Sequence, residues 1–116
     1  MLILFGKKLL NSKKVRYALT TIFGIGISNA TKICNKLNIP TTINVSELTE
    51  YQRLSLSTYI KQHFTVEAKL KQKIHEDIEN FILINSVKGF RHRSKLPVRG
   101  QRTHSNAKTC KKVSKL

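Results

Sequence analysis

Residues 85–116 hold ten Lys or Arg and no Asp or Glu. Phe90 is the one Phe, Tyr or Trp among them. A stretch with so little apolar surface cannot build a core, and its like charges repel one another. Alone in water it is expected to lack structure. It takes shape if a polyanion lies along it and supplies the missing counter-charge. About 84 residues then remain for a core, enough for one small domain of marginal stability. The expected division is a helical globular domain at 1–84 and an extended basic tail at 85–116.

The formal net charge is +16, well outside the range of ordinary small soluble domains. Residues 1–46 carry seven basic and no acidic side chains, whereas residues 47–84 carry five basic and six acidic ones. The positive charge therefore sits at the two ends, as in a compact body with two basic surfaces. An anionic membrane would also attract it. That alternative needs apolar residues opposite the lysines of a helix, and the tail instead contains Pro97 and Gly100, which oppose a long helix. Cys34 and Cys110 form no disulfide framework, so a reducing compartment is expected. No apolar run is long enough to span a membrane. The run Leu2 to Phe5 is too short for a secretion signal, and little room precedes the folded region for a transit peptide. The ending Ser114-Lys115-Leu116 matches a peroxisomal address, a match that arises easily in a Lys- and Ser-rich tail.

The periodicity predicts four helices. Leu2 to Phe5 reads as a short strand or an apolar anchor. Val15, Ala18, Leu19, Ile22 and Phe23 recur at helical steps until Gly24-Ile25-Gly26 permits a sharp reversal. A second helix is expected from the N-cap Ser28, with Ala30, Ile33, Cys34 and Leu37 inside and Lys32 and Lys36 outside. Asn38 and Pro40 end it. A third is expected near Thr49, where Thr49 and Gln52 have capping-box spacing, with Tyr51, Leu54, Leu56, Tyr59 and Ile60 as apolar positions. The fourth carries the stripe Val66, Leu70, Ile74, Ile78, Phe81 and Ile82 and ends near Asn85 and Ser86. The fold class is all-α with a basic tail.

Two features bear on binding. At Gly24-Ile25-Gly26 the chain can approach a phosphate, with the amides of the next helix behind it and Lys32 adding charge. An ordinary tight turn fits the same spacing, but the basic surroundings and lack of nearby acids favour nucleic acid. In the tail, Arg91, Arg93, Arg99 and Arg102 can each fork onto phosphate oxygens. Gly89 and Gly100 allow close backbone approach, and Pro97 stiffens the path. Irregular spacing suits a folded RNA better than a regular duplex groove. With ~8 phosphates contacted, log affinity should fall against log salt with a slope of roughly −6 to −7. No cofactor or metal is expected, since His92, His104 and Cys110 match no zinc spacing. Glu76, Asp77 and Glu79 read as a solvated face, and no nucleophile–base arrangement points to an enzyme.

Phe23-Gly24-Ile25-Gly26, Val45-Ser46-Glu47-Leu48-Thr49, Gly89-Phe90-Arg91-His92-Arg93, Leu96 to Thr103 and Asn106-Ala107-Lys108-Thr109 occur in this order. Together they resemble the ribosomal protein S-thirteen family of the small subunit, and the resemblance covers nearly the whole chain. It implies a helix–two-turns–helix N-terminal domain and a long extended C-terminal tail. It also implies rRNA binding in the subunit head, with ribosomal protein S-nineteen as neighbour. A bridge toward large-subunit protein L-five and a tail directed at the peptidyl-site tRNA follow as well. By position, Arg91, Arg93, Arg99, Arg102 and Lys108 would hold rRNA, and Lys111, Lys112 and Lys115 would lie nearest tRNA. The Thr103 to Cys110 pattern and the wealth of Ile, Lys and Asn look mitochondrial, with bacterial cytoplasm or plastid as alternatives. A free helix–hairpin–helix nucleic-acid-binding protein is the rival, distinguished by failure to sediment with small subunits. A nuclease is disfavoured because no acidic cluster offers a metal site.

Overall fold

The computed structural model describes residues 2–113. It is mostly helical, with one small hairpin, and divides into two compact units between Leu70 and Lys71.

The hairpin was not part of the all-α expectation. Strands β1 (Leu2–Leu4) and β2 (Lys7–Leu9) pair antiparallel, with Leu2 opposite Leu9. Phe5 and Gly6 both have positive φ, 49° and 77°, the conformation that suits a two-residue hairpin turn. Leu4 and Leu9 are buried in the core of the first unit. The apolar start is therefore half of a hairpin rather than a lone anchor.

Helix α1 spans only Val15–Leu19. Ile22 is buried as its spacing predicts, but tight turns carry the chain there, with Ile22 N–H donating to Leu19 O. The Thr20 and Thr21 hydroxyls donate to the carbonyls of Tyr17 and Ala18, and such side chains compete with helical propagation. Helix α2 (Ile27–Lys36) starts two residues before the expected point, with Gly26 rather than Ser28 as N-cap. Its end is a Schellman turn: Asn38 has φ 54°, and Ile39 N–H reaches Cys34 O at 2.9 Å. Helix α3 (Glu50–His63) begins with the predicted capping box. Thr49 N–H donates to Gln52 Oε1 at 3.0 Å, and Gln52 N–H to Thr49 Oγ1 at 3.3 Å.

The core runs from Leu4 to Val66 and includes Leu19, Ile33, Leu56 and Ile60. On α3 only Leu56 and Ile60 of the predicted apolar positions are buried, while Tyr51 and Leu54 point to solvent, 80% and 70% exposed. Burying a Leu or Ile side chain contributes about 2 kcal/mol, so closure of this core holds the unit together.

Helix α4 covers Glu67–Leu83. Of its predicted stripe, Val66 and Ile78 are buried, whereas Ile74 and Phe81 are exposed. Two further helices, α5 (Val87–Arg93) and α6 (Lys108–Lys112), lie within the segment expected to be wholly extended. In the second unit, Ile78, Gly89 and Ala107 are the buried positions among the described residues.

Candidate nucleic-acid interface

At the Phe23–Gly26 turn, the two glycines do different things. Gly24 has φ 106°, and a Cβ there would lie 2.7 Å from Leu70 Cδ2 and 3.2 Å from Thr65 O. Packing and backbone conformation therefore dictate Gly24. Gly26 has open space where a Cβ would stand. The first turn of α2 receives no side-chain cap, and Lys32 is exposed on that helix.

An acid does lie at this turn, contrary to the expectation. Glu67 N–H donates to Phe23 O at 3.0 Å, while Phe23 N–H donates to Glu67 Oε1 at 2.9 Å. The pair pins the turn to the start of α4, and Glu67 takes φ 51° to make it. Its charge opposes a phosphate near Phe23. Sequence spacing gave no hint, because 44 residues separate the partners.

Gly89 also has a different role from the one expected. It is buried within α5, where a Cβ would run into the Phe81 carbonyl and lie 2.6 Å from Ile82 N. Its missing side chain lets α5 touch the Phe81–Ile82 backbone of α4 rather than letting a phosphate approach. Arg91 is half-buried, and its Nε donates to the Pro97 carbonyl. Part of its guanidinium thus shapes the chain, leaving the two terminal nitrogens as possible phosphate donors.

Arg93, Arg99, Arg102, Lys108, Lys111 and Lys112 are exposed. Arg93 stands on α5 with Arg91, and the three lysines stand on α6. Arg99 lines a cavity of about 450 Å³ together with Pro97, Gln101, Thr109 and Cys110, so the structure brings it beside α6. Between the helices the chain has few bonds of its own. Arg99 N–H donates to Gln101 Oε1, and Arg102 Nε to His104 O. Lys115, expected nearest tRNA, lies outside the described residues.

Against this geometry, residues 3–109 match the protein-family model described as Ribosomal protein S13/S18. The chain belongs to this family. Within the S13/S18 family, it is 46% identical over 110 residues to "Small ribosomal subunit protein uS13m" of Marchantia polymorpha, covering 95% of this chain and 92% of that one. It is 45% identical over 112 residues to the protein of the same name from Daucus carota, covering 97% of each. "Small ribosomal subunit protein uS13" of a Wolbachia pipientis strain is 45% identical over 104 residues, 90% of this chain and 85% of that one. S13/S18 membership makes the chain a ribosomal protein with a structural role.

Sequence reasoning missed Glu67 as an architectural residue; it placed the end of α4 near Asn85 and Ser86 but not the start of α5 at Ser86. Asn85 followed by Ser86 was a legible signal: Asn favours a helix C-terminus and Ser the next N-cap.

Proposed function

We propose that this chain is a structural protein of the small subunit of the mitochondrial ribosome, where residues 85–116 bind rRNA in the subunit head. The subunit is supported by the family match, and the mitochondrial setting by the uS13m relatives. The observation that carries RNA contact is the outward display of Arg93, Arg99, Arg102, Lys108, Lys111 and Lys112 in a segment without one carboxylate side chain. Such charges find their counter-ions in phosphate. Arg91 adds its terminal nitrogens. On the first unit, Gly26 and Lys32 face rRNA, while Gly24 shapes the turn that presents them.

The mechanism is placement. Exposed guanidinium and ammonium groups fix the basic segment, and the helical body presents a surface between the subunits. Leu83, Ile84, Val87 and Phe90 are each more than 60% exposed. Apolar side chains at this density favour a protein neighbour as well. The family resemblance supplies S-nineteen and L-five as neighbours, and directs Lys111, Lys112 and Lys115 toward the peptidyl-site tRNA.

Cosedimentation with small subunits through moderate salt tests this function. Arg99→Glu should reduce incorporation far more than Lys61→Glu, since Lys61 lies on α3 of the body. Equal incorporation of both variants would remove the basic segment as the anchor.

A further inference from the structure

We infer that Ser86 and Gly89 are positioning residues for RNA binding: the elbow they build between α4 and α5 presets the direction of the basic segment. This builds on the rRNA contact proposed above.

Helix α4 closes in a Schellman turn. Asn85 has φ 56°, its N–H donates to Ile82 O at 3.1 Å, and Ser86 N–H donates to Phe81 O at 3.2 Å. Ser86 is then the N-cap of α5, with Oγ accepting Gly89 N–H at 3.1 Å. The same hydroxyl donates to Phe81 O at 2.8 Å. One residue therefore ends one helix and starts the next, with no free linker between them. Gly89 seals the joint, because any Cβ would collide with the Phe81–Ile82 backbone. Lys88 Nζ lies 5.2 Å from the Phe81 ring centroid on the same elbow.

Helix α5 closes in the same way. Lys95 has φ 56°, Leu96 N–H reaches Arg91 O at 2.9 Å, and Lys95 N–H reaches His92 O at 3.2 Å. Arg91 Nε then holds the Pro97 carbonyl. From Phe81 to Pro97 the chain's own bonds fix its course. The basic residues of α5 are consequently presented in a set direction before any phosphate arrives, and the entropy of ordering them falls on folding rather than on binding.

Salt separates positioning from contact. A residue that touches phosphate sets the slope of log affinity against log salt, whereas a residue that orients the contacts shifts affinity at every salt concentration alike. The full chain is titrated with in vitro transcribed small-subunit rRNA over a range of salt. Ser86→Ala should weaken binding roughly 5-fold at each salt concentration, the scale of a lost cap, with the slope unchanged. Gly89→Ala should weaken it at least as much, and Ser86→Thr should restore it, since a threonine hydroxyl makes the same two bonds. Arg93→Gln, the contact control, should make the slope shallower by about 0.7–0.9. Wild-type affinity in Ser86→Ala overturns the inference, as does a slope change equal to that of Arg93→Gln. A fall in melting temperature that accounts for the whole loss overturns it too. If the wild-type chain itself binds with no salt dependence, rRNA contact is what fails, an outcome distinct from a normal wild type with an indifferent Ser86→Ala.

Discussion

The body from Leu4 to Val66 and the segment from Phe81 to Val113 are held by different forces. The body closes a continuous apolar core, with Leu19, Ile33, Leu56 and Ile60 wholly inaccessible. The segment after Phe81 buries almost nothing apolar, yet it contains two helices and a fixed elbow. Its order comes from local bonds: a shared cap at Ser86, left-handed residues at Asn85 and Lys95, and the Arg91 clamp on Pro97. High charge prevents core formation, but it does not prevent caps and helix-terminating turns, which need only one polar side chain or one left-handed residue. Lack of a core is therefore a poor guide to lack of shape.

The largest expected effect breaks the comparison at its apolar end. Ile60→Ala removes a fully buried side chain and should cost about 2–5 kcal/mol in thermal or denaturant unfolding. Leu83→Ala, at a side chain 75% exposed, should change stability by less than about 0.5 kcal/mol. Similar losses from the two would mean that the second unit has its own hydrophobic support and that the contrast is false.

This contrast also explains what the sequence made legible. The α3 capping box was readable because both partners lie within four residues and the chemistry is specific. The buried faces of α1 and α2 followed from periodicity. Periodicity failed where apolar residues face outward, as at Tyr51, Leu54, Ile74 and Phe81, because spacing records a repeat and not what covers it. The Glu67–Phe23 pair was hidden by distance along the chain and by a positive φ at a residue that seldom adopts one. Gly89 was recognised as special, but composition suggested a phosphate where the reason was a helix crossing. Helix α5 was masked by its charge. The basic residues proposed to meet rRNA stood out at once, because an acid-free run of this length needs no fold to be noticed.

A smaller effect sharpens the comparison through the caps. Thr49→Ala removes half of the α3 capping box and should destabilise the body by about 1 kcal/mol while leaving its unfolding cooperative. There the cap adds to a core that already holds α3. At Ser86 the cap joins two helices with little burial to replace it. Amide exchange read residue by residue should therefore show fraying confined to the first turn of α3 in Thr49→Ala, against loss of protection through all of α5 in Ser86→Ala. Equal, local fraying in both would mean that α5 has support beyond its cap.

The smallest effect separates the two cysteines. Burial pushes the Cys34 thiol above its ordinary value of 9.0, and the nearby Arg16 charge only partly offsets this. The native state therefore holds the Cys34 proton more tightly than the unfolded chain does. This contribution to stability is complete below about pH 9 and is lost as pH rises through the higher native value. Melting between about pH 8 and pH 10 should decline more steeply in the wild type than in Cys34→Ala, by a fraction of the effect of Ile60→Ala. Cys110, half-exposed in the cavity beside Arg99, should react with a thiol reagent before Cys34, since access and thiolate formation both govern the rate. Cys34 reacting first at neutral pH would mean that the core opens more readily than the segment beyond Phe81, the reverse of what their burial implies.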